Sequence, residues 1–540
     1  MKLDSYKEVE ELTKQLVRIP SINKSIDGEN NIANFISDYF MNLDYFKNNP
    51  QQIIKVKTKD DVVDRHSIIA YLKGKTNKTI ILMGHIDTVD IKDFGQAQEN
   101  AFNDDKLKDE LKELFTLDEE IIDDINSGKY MFGRGALDMK SGVASHMYLM
   151  KYFSNHLDEL NGNLLFIGEC DEEGESLGII SCLDVLNELK QKEGFEYLAC
   201  LNTDFNTPID GNDNYAVHIG TIGKLLPCFV AFGKEAHVGK PFDSFDPNLL
   251  LSLISKRICY NTDLCDKGVV PPVSLKQMDN KDSYTVQTAL SAFGYYNYLM
   301  HESSPVDVMN KCIDIAMDAF KEANQIINDN YASYCLKNNL EYSLINYEIN
   351  VYSYERWYQK LSQENPNFEK DIKEYALKLN KENPDMDLRM FGYKMIEKSY
   401  EYYANKKPVV IIFFGTMFYS PSMCNDEYLL NAVDKALETV NKDSDKKTNK
   451  QLYYPYISDM SFLMINNKEK EIEEMLNNSP QHIYKYVYPY KKIMNLNVPV
   501  VNVGVYGKDG HKFTERVLKD YSFINVPNIT FEIIKELLNK

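Results

Sequence analysis

No apolar run in this 540-residue chain is longer than a buried strand. That leaves no candidate for a transmembrane helix, which needs roughly 20 apolar residues. The first residues, Met1-Lys2-Leu3-Asp4, lack the apolar core of a signal peptide. Basic residues are in deficit: 61 Lys and Arg face 81 Asp and Glu, a formal net charge of −20. Such a surface argues against nucleic acid or an anionic membrane as partner, though it leaves room for a local basic pocket. The nine cysteines contain no Cys-x-x-Cys pair and no regular spacing. This fits reduced thiols in a cytoplasm, and it speaks against a disulfide framework or a closed, cysteine-rich structural zinc site. No internal repeat is visible.

What remains is 44% hydrophobic and 26% charged, the composition of a globular protein with a sizeable core. Apolar periodicity predicts helices over 6–18 and 29–42, followed by strands at 52–57, 67–72 and 79–83. The charged run 103–126 reads as a solvated helical face with an acidic loop. A helix from 140 through 152, a strand at 163–168, a helix over 178–191 and a strand at 197–202 complete a βαβ alternation. The expected fold class is therefore α/β, a mostly parallel sheet with helices on both faces. After Gly220 the rhythm changes to strand 225–232, helix 247–257, extended residues 283–298, helix 304–329 and strand 348–354, the pattern of a smaller inserted α+β domain. The expected boundaries are 1–219, 220–356 and 357–540. A helical insertion is expected at 357–406, and the apolar strand 408–414 reads as the return to the main sheet. A strand at 498–505 and a helix at 526–539 close the chain.

Five short segments carry chemistry. In Ile80-Ile81-Leu82-Met83-Gly84-His85-Ile86-Asp87-Thr88-Val89 a strand ends in a His and an Asp two residues apart. A His at that position can bind a metal while the Asp holds its other ring nitrogen. Alone, the pair would read as a solvated surface motif. In Phe132-Gly133-Arg134-Gly135-Ala136-Leu137-Asp138-Met139-Lys140-Ser141-Gly142, glycines bring Asp138 to a helix start, where a plain N-cap is the simpler reading. Gly168-Glu169-Cys170-Asp171-Glu172-Glu173-Gly174 sets adjacent carboxylates after a strand, a crowding that a cation would relieve. Asn202-Thr203-Asp204 follows another strand, and His511 follows the last one. Two His and several carboxylates at the ends of strands in one sheet suit a pair of zinc, cobalt or manganese ions. A carboxylate bridging two cations is a recurrent hydrolytic arrangement.

These five segments, in this order, resemble the dinuclear-zinc metallopeptidase family of aminoacylase, acetylornithine deacetylase, succinyl-diaminopimelate desuccinylase and carboxypeptidase G. The resemblance implies that His85 and Asp204 hold one metal, Glu173 and His511 the other, and that Asp138 bridges both. It implies that Asp87 orients His85, and that Glu172 is the general base, taking a proton from water and returning it to the leaving nitrogen. It also implies a cis peptide after Asp138. Gly233-Lys234-Glu235-Ala236-His237-Val238-Gly239-Lys240-Pro241 resembles the family's lid domain, where His237 would stabilise an oxyanion, often across a dimer interface, and Asn248 would touch substrate. Without that context His237 reads as a surface-loop histidine. Asp459, in the Ser458-Asp459 turn, is a substrate-side residue or a helix N-cap. Asn202-Thr203-Asp204 departs from the family's usual Glu-Pro-Thr context, so Asp213 stands as the alternative to Asp204.

The chain length and the Pro455-Tyr456-Ile457-Ser458-Asp459 turn resemble the arginine-utilisation (RocB) branch, which implies a place in arginine or related amino-acid catabolism. The expectation is a cytoplasmic hydrolase of C–N amide bonds that uses two divalent metal ions, zinc first with cobalt or manganese as alternatives, on a small peptide or N-acyl amino acid. Aspartate at position 204 tilts the reading toward peptidase over deacylase. A homodimer through the lid is expected, and no nucleic-acid or membrane partner. The competing reading is a non-catalytic binding or regulatory protein that kept the fold, against which stand an intact Glu172 and all five candidate ligands.

Overall fold

The computed structural model describes residues 3–25, 27–208, 214–415, 417–442 and 444–538. The chain forms two compact units. One comprises Met1–Thr221, Ser422–Ile465 and Pro489–Lys540, and the other Ile222–Pro421 and Asn466–Tyr488. Among the described residues no helix is long and apolar enough to cross a membrane.

The first unit is built on an eight-stranded sheet. Its order is Ile53–Lys57, His66–Leu72, Asn163–Glu169, Lys78–His85, Glu196–Asn202, Val500–Asn502, Tyr215–His218 and Thr448–Gln451. Four of the seven neighbouring pairs are parallel and three antiparallel. The sheet is thus mixed, less uniformly parallel than the βαβ alternation suggests. The short link between Ile53–Lys57 and His66–Leu72 permits only an antiparallel pairing. The central strands Lys78–His85 and Asn163–Glu169 are buried almost end to end, which explains why they read as unbroken apolar runs.

Helices cover both faces of this sheet. Phe40 of helix Gly28–Met41 meets Phe166 with ring centroids 5.1 Å apart. Gly84, in register with Gly168 on that same face, lies against Val143 of helix Ser141–Asn155. The neighbouring position Leu165 points the other way. Its partner Tyr71 packs 5.4 Å from Phe195, directly after helix Leu177–Lys192. The charged run 103–126 is less solvent-facing than its composition suggests. Helices Asp104–Leu114 and Glu119–Ser127 bury Leu107, Leu111 and Ile125 in a satellite core with Phe94 and Phe132.

The second unit holds a sheet in the order Val273–Asp279, Ser291–Met300, Pro227–Phe232, Val409–Phe414 and Val351–Ser353. Helix Pro247–Ile258 packs on the face that carries Gly294 and Tyr296, with Ser255 Oγ 2.5 Å from the Tyr296 hydroxyl. The opposite face carries Phe232, Phe293 and Phe413. Helices Tyr354–Glu364, Phe368–Glu382 and Leu388–Tyr400 cover it. Tyr400 stacks on Phe232 at 3.8 Å and Tyr393 on Phe293 at 4.8 Å. Gly392 leaves room for the Phe413 ring, which a β-carbon would meet at 2.4 Å. Trp357 is fully buried and donates its indole N–H to Ser399 Oγ at 2.8 Å.

The strand 408–414 corrects the sequence-based reading. Val409–Phe414 does not return to the main sheet. It pairs antiparallel with Pro227–Phe232 and parallel with Val351–Ser353, and the helices of 357–406 pack in this second unit with it. An all-apolar strand carries no mark of which sheet it joins, because both sheets offer partners that bury its two faces. The chain re-enters the first unit at Ser422.

Candidate metal centre

Parallel pairing brings the carboxyl ends of Lys78–His85, Asn163–Glu169 and Glu196–Asn202 side by side, with His85 opposite Glu169 and Met83 opposite Asn202. Residues just past those ends, Asp87, Asp171 to Glu173 and Asp204, therefore collect at one rim of the sheet, the usual place for a ligand crevice in α/β folds. Asp138 reaches the same rim from the turn before helix Ser141–Asn155, and its peptide bond to Met139 is cis. His511 arrives from the loop between strands Gly507–Lys508 and Arg516–Leu518.

Asp138 is the centre of the cluster. Its Oδ1 lies 2.8 Å from His85 Nε2, and its Oδ2 lies 2.8 Å from His511 Nε2. His511 Nε2 is also 2.9 Å from Glu173 Oε1. Three sets of side chains place ligand atoms within 4.8 Å of one another: His85 with Asp138 and Asp204, Asp138 with Glu173 and His511, and His85 with Glu172 and Glu173. All five residues named as ligands from the sequence meet in these sets, and Glu172 stands beside them. Asp213 lies outside the described residues.

The electrostatics show what the cluster lacks. Burial pushes Glu172 well above the ordinary carboxylate range and Asp204 up to about 7. Burial also opposes charge on Asp138 and His85, but the hydrogen bonds between imidazole and carboxylate outweigh it. Asp138 is held below its ordinary value and His85 well above. His511 is raised to about 11 by its carboxylate partners, which outweigh the partial loss of solvent around the ring. Among the described residues no lysine or arginine forms an ion pair with Asp138, Glu172, Glu173 or Asp204. Two imidazoles and several buried carboxylates with no resident organic cation are a donor set that fits divalent metal ions.

Asp87 works differently from the simple expectation. His85 Nδ1 is 3.1 Å from the backbone carbonyl oxygen of Asp87 but 3.6 Å from its carboxylate. The carbonyl is thus the nearer acceptor for the ring. The carboxylate accepts the Glu172 N–H on Oδ1 and the Glu173 N–H on Oδ2, each at 3.2 Å. Asp459 is 1% exposed and opens the short turn Asp459–Phe462. It caps no backbone N–H, so the N-cap alternative is not what the fold uses. Burial pushes it up to about 8. Its charge acts on Glu172 and Glu169, both of which burial raises first of all.

In the second unit, His237 is exposed and its Nδ1 accepts the Gly239 N–H at 3.0 Å. Asn248 sits in the first turn of helix Pro247–Ile258, exposed, and donates to Asp279 Oδ2 at 2.9 Å.

The family is decided by a match that spans most of this architecture: residues 81–476 match the model of Peptidase family M20/M25/M40. The chain belongs to that family. Over 98% of its length it is 36% identical to Protein RocB of Bacillus subtilis (strain 168), covering 95% of that protein. With succinyl-diaminopimelate desuccinylase of Orientia tsutsugamushi (strain Boryong) the identity is 24%, over 57% of this chain and 72% of that one. The crystal structure of a tripeptidase from Staphylococcus aureus subsp. aureus Mu50 shares the fold, with a TM-score of 0.54 at 13% identity and 99% of each chain covered. The protein is therefore an M20-family hydrolase of the metallopeptidase type with an α/β catalytic fold.

This M20 site contains residues that the sequence motifs did not reveal. Glu515 Oε1 accepts the backbone N–H groups of Leu137 and Asp138 at 3.1 and 3.2 Å, and its Oε2 takes the Arg134 guanidinium at 2.7 Å. Arg134 in turn grips Asp93 at 2.8 Å. Tyr454, fully buried, counters the upward push of burial on the Asp204 carboxylate. No spacing announces Glu515. It reaches Asp138 because Arg516–Leu518 pairs with Tyr130–Phe132, which joins segments almost 400 positions apart.

Proposed function

We propose that this chain is a dinuclear metal-dependent hydrolase of C–N amide bonds, acting on a small peptide or N-acyl amino acid. The observation that carries the reading is the position of Asp138, whose two carboxylate oxygens face two different imidazoles. That is the layout of a carboxylate shared between two cations. His85 and Asp204 would hold one ion and Glu173 and His511 the other, with Asp138 between them. When bound, the two cations, zinc in the first instance with cobalt or manganese as alternatives, polarise the scissile carbonyl and make water more acidic.

The chain's own residues do the rest. Glu172 takes the proton from the attacking water on its carboxylate and delivers it to the leaving nitrogen. The buried setting that raises its proton affinity suits both halves of that task. Asp87 fixes the ring of His85 through its carbonyl and the Glu172–Glu173 backbone through its carboxylate. His237 and Asn248 of the second unit would contact the substrate oxyanion and the substrate, and Asp459 would act on the substrate side. The resemblance to the RocB branch supports a place in arginine or related amino-acid catabolism, in a cytoplasmic protein that dimerises through its smaller domain.

The test is paired: metal content of the purified protein, then hydrolysis of a mixed panel of dipeptides and N-acyl amino acids with and without chelator. About two metals per chain and chelator-sensitive cleavage are expected. Failure to take up zinc, cobalt or manganese would overturn the reading.

A further inference from the structure

We propose that Asn23 and Arg65 are positioning residues for the metal centre, acting through Asp87 and Asp171. The inference rests on the dinuclear reading above. Both residues precede the stretch 81–476 that matches the family model, and neither belongs to any of the motifs.

The segment before Asn23 runs beside the residues that follow His85. Ser21 Oγ donates to the Ile86 carbonyl at 2.7 Å, the Thr88 N–H donates to the Ser21 carbonyl at 2.9 Å, and the Asn23 N–H donates to the Thr88 carbonyl at 2.8 Å. This register delivers the Asn23 side chain between two buried carboxylates. Its Nδ2 donates to Asp87 Oδ2 at 2.8 Å and to Asp171 Oδ1 at 3.0 Å. An amide nitrogen has two hydrogens, and here each carboxylate takes one.

Arg65 completes the frame. It is 1% exposed and surrounded by acids: Asp61 at 2.6 Å, Glu29 at 2.9 Å and Asp171 at 2.9 Å. Glu29 also accepts the Asp171 N–H at 3.0 Å. Asp171, the first acid of the Asp171-Glu172-Glu173 run, is thereby turned away from the ligand sets, with a backbone φ of +67°. Its Oδ2 accepts the N–H of Leu177 at the start of a helix at 3.2 Å, and a β-carbon at Gly174 would strike its Oδ1 at 2.1 Å.

The turn that results presents the N–H groups of Glu172 and Glu173 to the two oxygens of Asp87. With its carboxylate held by three donors, Asp87 has its carbonyl set against His85 Nδ1. Mechanical support thus passes from Arg65 to Asp171, through Asn23 to Asp87, and so to His85, Glu172 and Glu173. Outer groups of this kind orient metal ligands and tune their affinity.

The experiment compares wild type with Asn23→Ala, which removes the bridge without stranding a new charge, and Arg65→Lys, which keeps the charge but loses the planar fork. Zinc affinity is read by competition with a chromophoric chelator, and coordination by the absorption spectrum of the cobalt-loaded protein. Both variants are expected to bind zinc about 10- to 100-fold more weakly, with an altered cobalt spectrum. Wild-type affinity and spectrum in Asn23→Ala overturn the proposal, whatever happens to the thermal midpoint, since a merely structural role would move the midpoint alone. If Arg65→Lys does not fold, the Asn23→Ala result decides. If wild type itself binds no metal, the dinuclear reading fails and this inference goes with it, an outcome distinct from a metal-binding wild type with unaffected variants.

Discussion

Glu515 holds Asp138 by its backbone: the Glu515 carboxylate accepts the Asp138 N–H at 3.2 Å. The residue whose two oxygens face both imidazoles is thus fixed from behind by an acid that does not itself enter the cluster. The same carboxylate balances the buried charge of Arg134.

Replacing Glu515 by Ala is expected to cost about 3 kcal/mol or more of stability, because removing one partner of a buried ion pair leaves the other uncompensated. Asp93 still contacts Arg134, which keeps the loss toward the lower end. Zinc affinity should fall as well, because the turn around Asp138 loses two acceptor contacts. Denaturant titration and zinc competition measure both effects. An unchanged midpoint would show that Arg134 is satisfied by Asp93 alone.

Glu172→Gln keeps the shape of the side chain and removes its proton-accepting function. Turnover should drop by about 10²- to 10⁴-fold, the usual contribution of a general base, while metal content stays at the wild-type level. Turnover near wild type would remove Glu172 from that role.

His511→Ala should lower the metal content from about two ions per chain to about one, since a site with three protein donors loses one of them. Glu173 loses its nearest imidazole and Asp138 one of its two. Metal analysis after gel filtration reads the result. Retention of both ions would take His511 off the ligand set.

His146 offers a pH test independent of the metals. It is fully buried on helix Ser141–Asn155, neither ring nitrogen finds a hydrogen-bond partner among the described residues, and burial lowers it from 6.5 to about 3. The unfolded chain therefore binds a proton here that the folded one refuses, between about pH 6.5 and 3. In that window the His146 contribution makes stability rise with pH and fall on acidification. Relative to wild type, His146→Met should gain about 1.4 kcal/mol of stability per unit of pH lowered below 6.5. Denaturant midpoints at pH 7, 6 and 5 give the difference, and a flat difference would mean that the ring is protonated or solvated in the folded state.

Much of the candidate site could be read in one dimension because its proposed ligands sit next to strong local signals. His85 and Asp87 end an apolar strand, Asp138 lies in a glycine-bracketed turn, and Glu172 and Glu173 follow the apolar strand Asn163–Glu169. Strand ends and tight turns are set by nearest neighbours in sequence, so their chemistry shows in spacing. The supports were silent for the opposite reason. Asn23, Arg65, Tyr454 and Glu515 are ordinary residues in ordinary contexts, and each matters only through a partner far along the chain.

The destination of Val409–Phe414 marks the same boundary. Its six apolar residues determine that it is a strand and that both of its faces are buried. They do not determine whether it extends the main sheet or completes the smaller one, since backbone hydrogen bonds are the same in either place. That choice fell to side-chain packing in three dimensions, where Phe413 fits against Gly392 and helix Leu388–Tyr400 covers the face beside it. By itself the sequence determined the α/β class and the segments that carry the candidate ligands and the candidate base, because strands and turns are set by local pattern. Only the tertiary structure decided which carboxylates face the imidazoles and which turn away to brace them, because that depends on long-range pairings whose energy comes from burial and mutual charge.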